Sequence, residues 1–304
     1  MKIVVAGGTG FLGEPLVRRL IARGDDVTVL TRNPAKVEAG RGVAWDGRTQ
    51  GAWSAEAAGA DVVINLAGEN IAEGRWTDAR KQRLVDSRLN ATNALVEAMR
   101  REPARKRTVI SASATGIYGD RGDEILDETS PRGTGFLADL VTRWETAAGE
   151  AEPLARLVIF RFGVVLAPDG GALKKMLLPF KLGGGGPIGN GKQWLSWIDR
   201  DDALRLVEWA MANEAVLGVH NATAPQPVRN RDFARALGRA LHRPAIVPAP
   251  AFALKLVFGQ MAEEVLLAGQ RVLPARPVGE GFEFEHRTIE DALAHLLPAR
   301  AGRR

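Results

Sequence analysis

The feature that most constrains the fold of this chain is a glycine-rich turn near its start. Residues 7–13 read Gly-Gly-Thr-Gly-Phe-Leu-Gly and follow the apolar run Lys2–Ala6, which is rich in β-branched residues. After the turn, Leu16 and Leu20 recur at helical spacing. The turn therefore stands between a buried parallel strand and a helix, the order that opens a dinucleotide-binding unit.

The glycines of this turn have separate physical tasks. Gly7 permits the tight turn, Gly10 lets the backbone approach a pyrophosphate, and Gly13 lets helix and strand pack closely. The free N–H groups and positive end of the helix dipole then face the anion. The alternative is a turn without a ligand, since such spacing arises by chance in a chain with 34 glycines. The predicted cofactor contacts here are Gly7, Thr9, Gly10, Phe11, Leu12 and Gly13.

The end of the second predicted strand, Val27–Leu30, indicates which dinucleotide would bind. NAD-selective sites place an acidic residue there, which bonds the adenosine ribose 2′-hydroxyl. This chain has Thr31-Arg32-Asn33 at that place, and the Arg32 guanidinium suits a 2′-phosphate. The sequence therefore predicts NADP(H), with Thr31 and Arg32 among its contacts. In the alternative reading, Arg32 only caps a loop.

Two further strand ends belong to the same edge of the predicted sheet. Asp46 follows the third strand, and Leu66-Ala67-Gly68 follows the fourth. Because such edges form the cofactor crevice, we expect Asp46, Leu66, Ala67 and Gly68 to contact the cofactor. Asp46 could reach the adenine amino group or simply form a turn.

The alternation of strand and helix signals sets the expected architecture. It predicts an α/β fold with a doubly wound parallel sheet, the Rossmann arrangement. At 304 residues the chain exceeds what one core usually holds, so we expect a smaller C-terminal substrate lobe. The expected Rossmann domain is 1–165, with 190–222 returning to it. The smaller lobe comprises 166–189 and 223–298, and 299–304 form a tail.

Composition excludes several classes of protein. The chain has no cysteine, which rules out disulfides and thiolate chemistry, and its four histidines show no metal-ligand spacing. The net charge is +5, but the arginines are dispersed and no stacking aromatics are interleaved with them. We therefore expect no metal and no nucleic-acid partner. Since no apolar run is long enough for a secretion signal or a membrane span, we expect a cytoplasmic protein without membrane contact.

Several motifs along the chain resemble an extended short-chain dehydrogenase/reductase. Besides the glycine turn, these are Asn65–Gly68 and Ser111–Ser113 leading to Ile117–Gly119. More specifically the chain is similar to the atypical branch called epimerase-family proteins, through Gly68–Ile71, Trp144-Glu145, Gly191–Ile198, Asn221–Pro225, Gly259–Glu263 and Leu267–Val272. The resemblance implies a cofactor-dependent oxidoreductase or epimerase whose substrate is generally unassigned.

The chain departs from the resemblance at the catalytic pair. Short-chain dehydrogenases use a Tyr and, four residues later, a Lys, which together move the proton that accompanies hydride transfer. Tyr118 is the only tyrosine here, and Gly122 stands four residues after it. By helix placement the usual Tyr corresponds to about Phe136 and the Lys to Leu140. Neither side chain can transfer a proton.

Two hydroxyl groups remain as candidate catalytic residues. The resemblance implies that Ser113 polarises a substrate carbonyl, and Tyr118 is expected on a loop that faces the nicotinamide. Tyr118 would supply the proton and Ser113 would orient the substrate oxygen, with Lys81, Arg88 or Arg121 as a cationic neighbour. Alternatively, Tyr118 only lines the pocket.

Candidate substrate contacts are Glu69, Asn70, Arg88 and Trp194. Glu69 and Asn70 follow the fourth strand, and Trp194 lies in the motif Gln193–Trp197. A solvated loop and tryptophans that pack one lobe on the other are the alternatives.

The sequence supports two hypotheses of function. One is an NADP(H)-dependent oxidoreductase or epimerase that acts on an unidentified small carbonyl or hydroxyl compound. Sugar-like compounds are among the candidate substrates. The other is a non-catalytic NADP(H)-binding protein with a regulatory or redox-sensing role. The missing catalytic pair favours the second, and the intact cofactor turn with polar groups around the cleft favours the first.

Overall fold

A parallel β-sheet forms the centre of the molecule. The computed structural model describes residues 1–298, so the expected tail at 299–304 lies outside the described residues. The sheet has seven strands: β1 Lys2–Ala6, β2 Asp26–Thr31, β3 Arg41–Ala44, β4 Val62–Asn65, β5 Thr108–Ala114, β6 Arg156–Phe162 and β7 Gly218–Ala222. Their order in the sheet is β7-β6-β5-β4-β1-β2-β3, which confirms the predicted doubly wound α/β fold.

Helices connect the strands and build the C-terminal part of the described chain. They are α1 Gly13–Ala22, α2 Trp53–Ala58, α3 Asp78–Met99, α4 Phe136–Gly149, α5 Gly171–Lys181, α6 Arg200–Ala212, α7 Asn230–Ala240, α8 Ala251–Phe258, α9 Ala275–Gly279 and α10 Ile289–Leu296. Two short 3₁₀ turns, Pro34–Lys36 and Thr115–Tyr118, and one π-helical segment, Ala262–Leu267, complete the helical elements of residues 1–298.

Short strand pairs link later segments of the chain to the central sheet. They are Val164–Ala167 with Trp197–Asp199, Trp194–Leu195 with Val228–Arg229, and Ile125–Leu126 with Arg271–Val272. Through the last pair, the C-terminal segment lies beside the loop that follows β5. The pairs therefore bring residues from distant parts of the sequence to the carboxyl edge of the sheet.

Both faces of the sheet are covered by helices, which explains why its strands are almost continuously apolar. Ile3 and Val5 of β1 pack with α1 and α6. Val4 and Ala6, which point to the opposite face, pack with α2 and α3. Such a sheet leaves only its carboxyl edge open for a ligand.

The edge strand β7 was not recognised as a strand in the sequence. Its His220 and Asn221 are both completely buried, yet they interrupt the apolar pattern that marks the other strands. β7 pairs in parallel with β6. Within residues 1–298, no helix combines the length and the apolar character that crossing a membrane requires.

We expect the Leu16→Ala substitution in α1 to lower the free energy of unfolding by about 2–5 kcal/mol, because it leaves a cavity against the sheet. Leu16 is fully buried in the cluster that joins α1, α6 and the sheet. Ile21→Ala is the matched control, since Ile21 lies on the same helix and is 37% exposed. Urea unfolding measures both, and equal losses for the two variants would contradict the packing described here.

Candidate dinucleotide site and the buried network beside it

In the glycine turn, the backbone at Gly7 and Gly13 lies in close contact with neighbouring backbone atoms. Gly7 has a φ of +81°, and a Cβ on it would lie 2.8 Å from the Leu66 carbonyl carbon. A Cβ on Gly13 would lie 2.1 Å from the Gly7 oxygen, which also accepts a hydrogen bond from the Gly10 N–H at 2.9 Å. Side chains at positions 7 and 13 would therefore push β1, β4 and α1 apart.

The start of α1 leaves N–H groups available to a ligand. No side chain of the described residues caps this helix at Leu12, and Thr9 and Gly10 are exposed. Such N–H groups, together with the positive end of the helix dipole, form an anion site. The residues present therefore fit a pyrophosphate.

The loop after β4 is held in place by hydrogen bonds of Asn65. Asn65 is buried, donates from Nδ2 to the Thr92 hydroxyl at 2.9 Å, and accepts the Ala67 N–H at 3.2 Å. These bonds place Leu66 and Ala67 beside the glycine turn and leave Gly68 exposed. The expected cofactor residues of β1 and β4 thus lie together at one edge.

The groups expected near the adenosine lie at the ends of β2 and β3. Arg32 is exposed, and within residues 1–298 it makes no salt bridge or side-chain hydrogen bond; the Thr31 hydroxyl accepts the Asn33 N–H at 3.2 Å. Asp46 accepts the N–H groups of Arg48 and Thr49, each at 2.8 Å. These bonds and the Thr49 hydroxyl lower its pKa. Asp46 therefore forms a turn, which was one of its two predicted roles.

Tyr118 does not face an open cleft, contrary to its expected position. The 3₁₀ turn after β5 directs it inward, and the side chain is fully buried. Its hydroxyl donates to Asn221 Oδ1 at 2.8 Å and accepts from Arg161 Nη1 at 2.9 Å. Burial raises the pKa of Tyr118 despite Arg161. The cation beside it is thus Arg161 rather than Lys81, Arg88 or Arg121.

Ser113 is likewise turned into the interior. Its hydroxyl donates to Glu145 Oε1 at 2.5 Å, and the residue is 3% exposed. Neighbouring residues of a strand point to opposite faces, and Ala112 and Ala114 are the partly exposed ones near the end of β5. The expected substrate-polarising position of Ser113 is therefore corrected to a position against α4.

Glu145 of α4 joins these side chains into one buried network, although it was not among the predicted site residues. It accepts Arg161 Nε at 2.8 Å and Nη2 at 2.7 Å, a bidentate ion pair. Burial lowers the pKa of Arg161, but Glu145 outweighs that effect and the pKa is raised. The network runs from Ser113 through Glu145, Arg161 and Tyr118 to Asn221.

The two positions that correspond to the usual Tyr and Lys lie in an apolar cluster. Leu140 is 2% exposed and packs with Phe136, Trp76 and Met261. Glu264, from the π-helical segment, accepts hydrogen bonds from the first two N–H groups of α4, those of Phe136 and Leu137. The C-terminal segment thus covers the start of α4, and no sequence signal pointed to Glu264.

The expected substrate residues on the loop after β4 are largely occupied by protein contacts. Glu69 pairs with Arg80, and Asn70 accepts the Ala72 N–H at 3.0 Å. Arg88 donates to the Glu69 and Leu84 carbonyls, each at 3.0 Å. Burial lowers the pKa of Arg88 to about 10. Arg88 therefore connects the loop after β4 to helix α3.

Trp194 borders an open pocket of about 490 Å³ on the C-terminal side of the molecule. The indole N–H donates to Asp123 at 2.8 Å, and the guanidinium carbons of Arg229 and Arg271 lie 4.2 Å and 4.6 Å from the ring centre. These contacts fix the indole. The pocket lining is charged: it holds the cations Lys192, Arg229 and Arg231 and the carboxylates Asp120 and Asp123.

We expect Tyr118→Phe to lower the free energy of unfolding by about 1–3 kcal/mol, because it removes one bond each from Arg161 and Asn221 in the interior. Guanidinium unfolding measures the change. A variant as stable as the wild type would show that the buried hydroxyl is not held as described.

Comparisons with known proteins agree with this architecture. A profile of the NAD dependent epimerase/dehydratase family matches residues 3–221, and a profile of a domain of unknown function matches residues 249–296. The epimerase family protein YfhF of Bacillus subtilis is 38% identical, covering 99% of each chain. The chloroplastic epimerase family protein SDR39U1 homolog of Arabidopsis thaliana is 39% identical over 98% of this chain and 87% of its own.

A solved structure is similar along almost the whole chain. The human epimerase family protein SDR39U1 (isoform 2), crystallised with NADPH, has a TM-score of 0.89 and 35% identity, covering 98% of this chain and 99% of its own. With the profile match over residues 3–221, these similarities show that this chain belongs to the NAD-dependent epimerase/dehydratase family.

Proposed function

We propose that this chain is an NADP(H)-binding protein that acts by binding the dinucleotide, in a regulatory or redox-sensing role. The observation that carries the proposal is the apolar cluster at the start of α4. Phe136 and Leu140, the positions expected to correspond to the usual proton-transfer pair, pack with Trp76 and Met261. An apolar cluster can neither donate nor accept the proton that carbonyl reduction requires.

The choice of NADP(H) rests on the end of β2. Arg32 is exposed and free of ion pairs within residues 1–298, and a guanidinium matches the geometry of a phosphate. The human relative crystallised with NADPH supports the same choice. When bound, the nicotinamide supplies a hydride donor or acceptor.

Each part of the cofactor has candidate residues in this site. The N–H groups from Phe11 to Gly13 would hold the pyrophosphate, and Arg32 the 2′-phosphate. Leu66–Gly68 would line the crevice between β1 and β4.

A second candidate is an oxidoreductase or epimerase that acts on a small carbonyl or hydroxyl compound, including sugar-like ones. The pocket of about 490 Å³ beside Trp194 favours it, since its size suits a small-molecule ligand. This candidate requires a proton donor at the nicotinamide. Ser113 and Tyr118 could serve only if a rearrangement exposed their hydroxyls, which are buried here.

We expect Arg32→Ala to weaken NADPH binding about ten- to a hundredfold and to leave NADH binding nearly unchanged, because only NADPH carries the 2′-phosphate. Arg101→Ala is the matched control, since Arg101 is exposed and follows the end of α3, away from the glycine turn. Calorimetric titration with both coenzymes measures the effect. Equal affinities of the wild type for NADPH and NADH would refute the assignment of Arg32.

We also expect the wild type to retain NADPH without consuming it. The assay follows the absorbance of the reduced nicotinamide, with aldehydes, ketones and nucleotide sugars as trial substrates. Coenzyme fluorescence measures NADPH occupancy in the same samples. Turnover above the protein-free rate with any of them would contradict the binding role and establish the second candidate. Unchanged turnover in Tyr118→Phe would then exclude Tyr118 as the proton donor.

A further inference from the structure

A second cluster of polar side chains lies where α6 meets α10, outside the dinucleotide site. Single ligand atoms of Asp199, Asp201 and His295 all lie within 4.8 Å of one another. His295 Nε2 is 3.2 Å from Asp201 Oδ2, although the two residues are 94 positions apart in the chain. Histidine spacing in the sequence therefore could not reveal this cluster.

Asp199 carries an oxygen that the protein leaves without a partner. The residue is fully buried, and its Oδ1 accepts the Asp201 N–H at 2.7 Å at the start of α6. Its Oδ2 is buried and has no hydrogen bond from any described residue. Since an unpartnered buried carboxylate oxygen is costly, this atom calls for a proton or a cation.

The groups around the cluster do not satisfy that oxygen. Asp202 is occupied, because it accepts from Arg205 Nη1 at 2.7 Å and from the Glu285 and His286 N–H groups. His286 Nδ1 lies 3.8 Å from Asp199 Oδ1, beyond hydrogen-bond distance, and its ring stacks on His295 at 4.4 Å.

Among the residues 1–298, Arg19 makes an ion-pair contact with Asp201 of the cluster. Arg19 Nη1 lies 3.7 Å from Asp201 Oδ1, while Arg19 Nη2 pairs with Glu208 at 2.9 Å. The other oxygen of Asp201, Oδ2, is the one beside His295. The carboxylate of Asp201 can therefore keep Arg19 on one oxygen and present the second to an ion.

We propose that Asp199, Asp201 and His295 bind a divalent transition-metal ion, of which Zn²⁺ and Mn²⁺ are the best matches. Two carboxylates and one imidazole form a donor set for such ions, and the imidazole disfavours Mg²⁺ and Ca²⁺. The side chains of Asp201 and His295 are 47% and 45% exposed, so an ion can enter and water can complete its coordination.

An ion at this site would have a structural consequence. Asp199 and Asp201 belong to the start of α6, which packs on the sheet, and His295 belongs to α10 near the end of the described chain. The ion would thus connect the C-terminal helix to the dinucleotide-binding sheet. This site is independent of the proposed NADP(H) binding, because its three ligands do not belong to the glycine turn or the ends of β2 and β4.

The test uses the untagged full-length protein, freed of metal with a chelator and then titrated separately with Zn²⁺, Mn²⁺ and Mg²⁺. Calorimetry gives the Kd, and thermal unfolding at ten times that concentration should show a Tm rise of about 3 °C with Zn²⁺. We expect affinity in the order Zn²⁺, Mn²⁺, Mg²⁺. Asp201→Asn and His295→Gln should each weaken Zn²⁺ binding at least tenfold.

The matched controls are Asp232→Asn and His242→Asn, which change residues of the same types outside the cluster; His242 is exposed and the Asp232 side chain is 46% exposed. We expect both to bind Zn²⁺ like the wild type. The proposal is overturned if Zn²⁺ neither binds nor raises the Tm, or if Asp201→Asn and His295→Gln both keep wild-type affinity, which would indicate adventitious surface binding. NADPH titration of the same samples tests the proposed function separately, since these variants should keep coenzyme affinity.

Discussion

The close approach of backbone at Gly7 and Gly13 is the constraint on which the rest of the structure depends. A Cβ at position 13 would lie 2.1 Å from the Gly7 oxygen, so only glycine lets α1 start directly against β1. That contact aims the first N–H groups of the helix at the sheet edge and brings Leu66 alongside. Without it the two strands and the helix could not meet, and no anion site would form there.

The protein has the fold of its family, and the polar groups beside the site are turned into the interior. The start of α4, where a proton-transfer pair would stand, is apolar and is covered by the C-terminal segment through Glu264. The charged groups Glu145 and Arg161 are largely buried, where they pair with each other and bond Ser113 and Tyr118. A buried, fully paired network of this kind fixes one arrangement of the core, which suits a protein that holds a coenzyme.

The sequence predicted the parts that depend on local pattern. Strand β1 was predicted at its observed bounds and β2 close to its own, because apolar periodicity and glycine placement are local properties. Sequence-based prediction failed where contacts between distant residues determine the structure. β7 was missed because its polar His220 and Asn221 find partners far along the chain, in Glu280 and Leu273. Tyr118 was expected to face the open cleft because its hydrogen-bond partners, Arg161 and Asn221, are distant in the sequence.

The most direct test of the central claim is a crystal structure of the wild type grown with excess NADPH. We expect the pyrophosphate over the N–H groups of Phe11 to Gly13 and the 2′-phosphate against Arg32, with Tyr118 still buried against Arg161 and Asn221. An empty glycine turn, or a coenzyme whose 2′-phosphate lies away from Arg32, would contradict it.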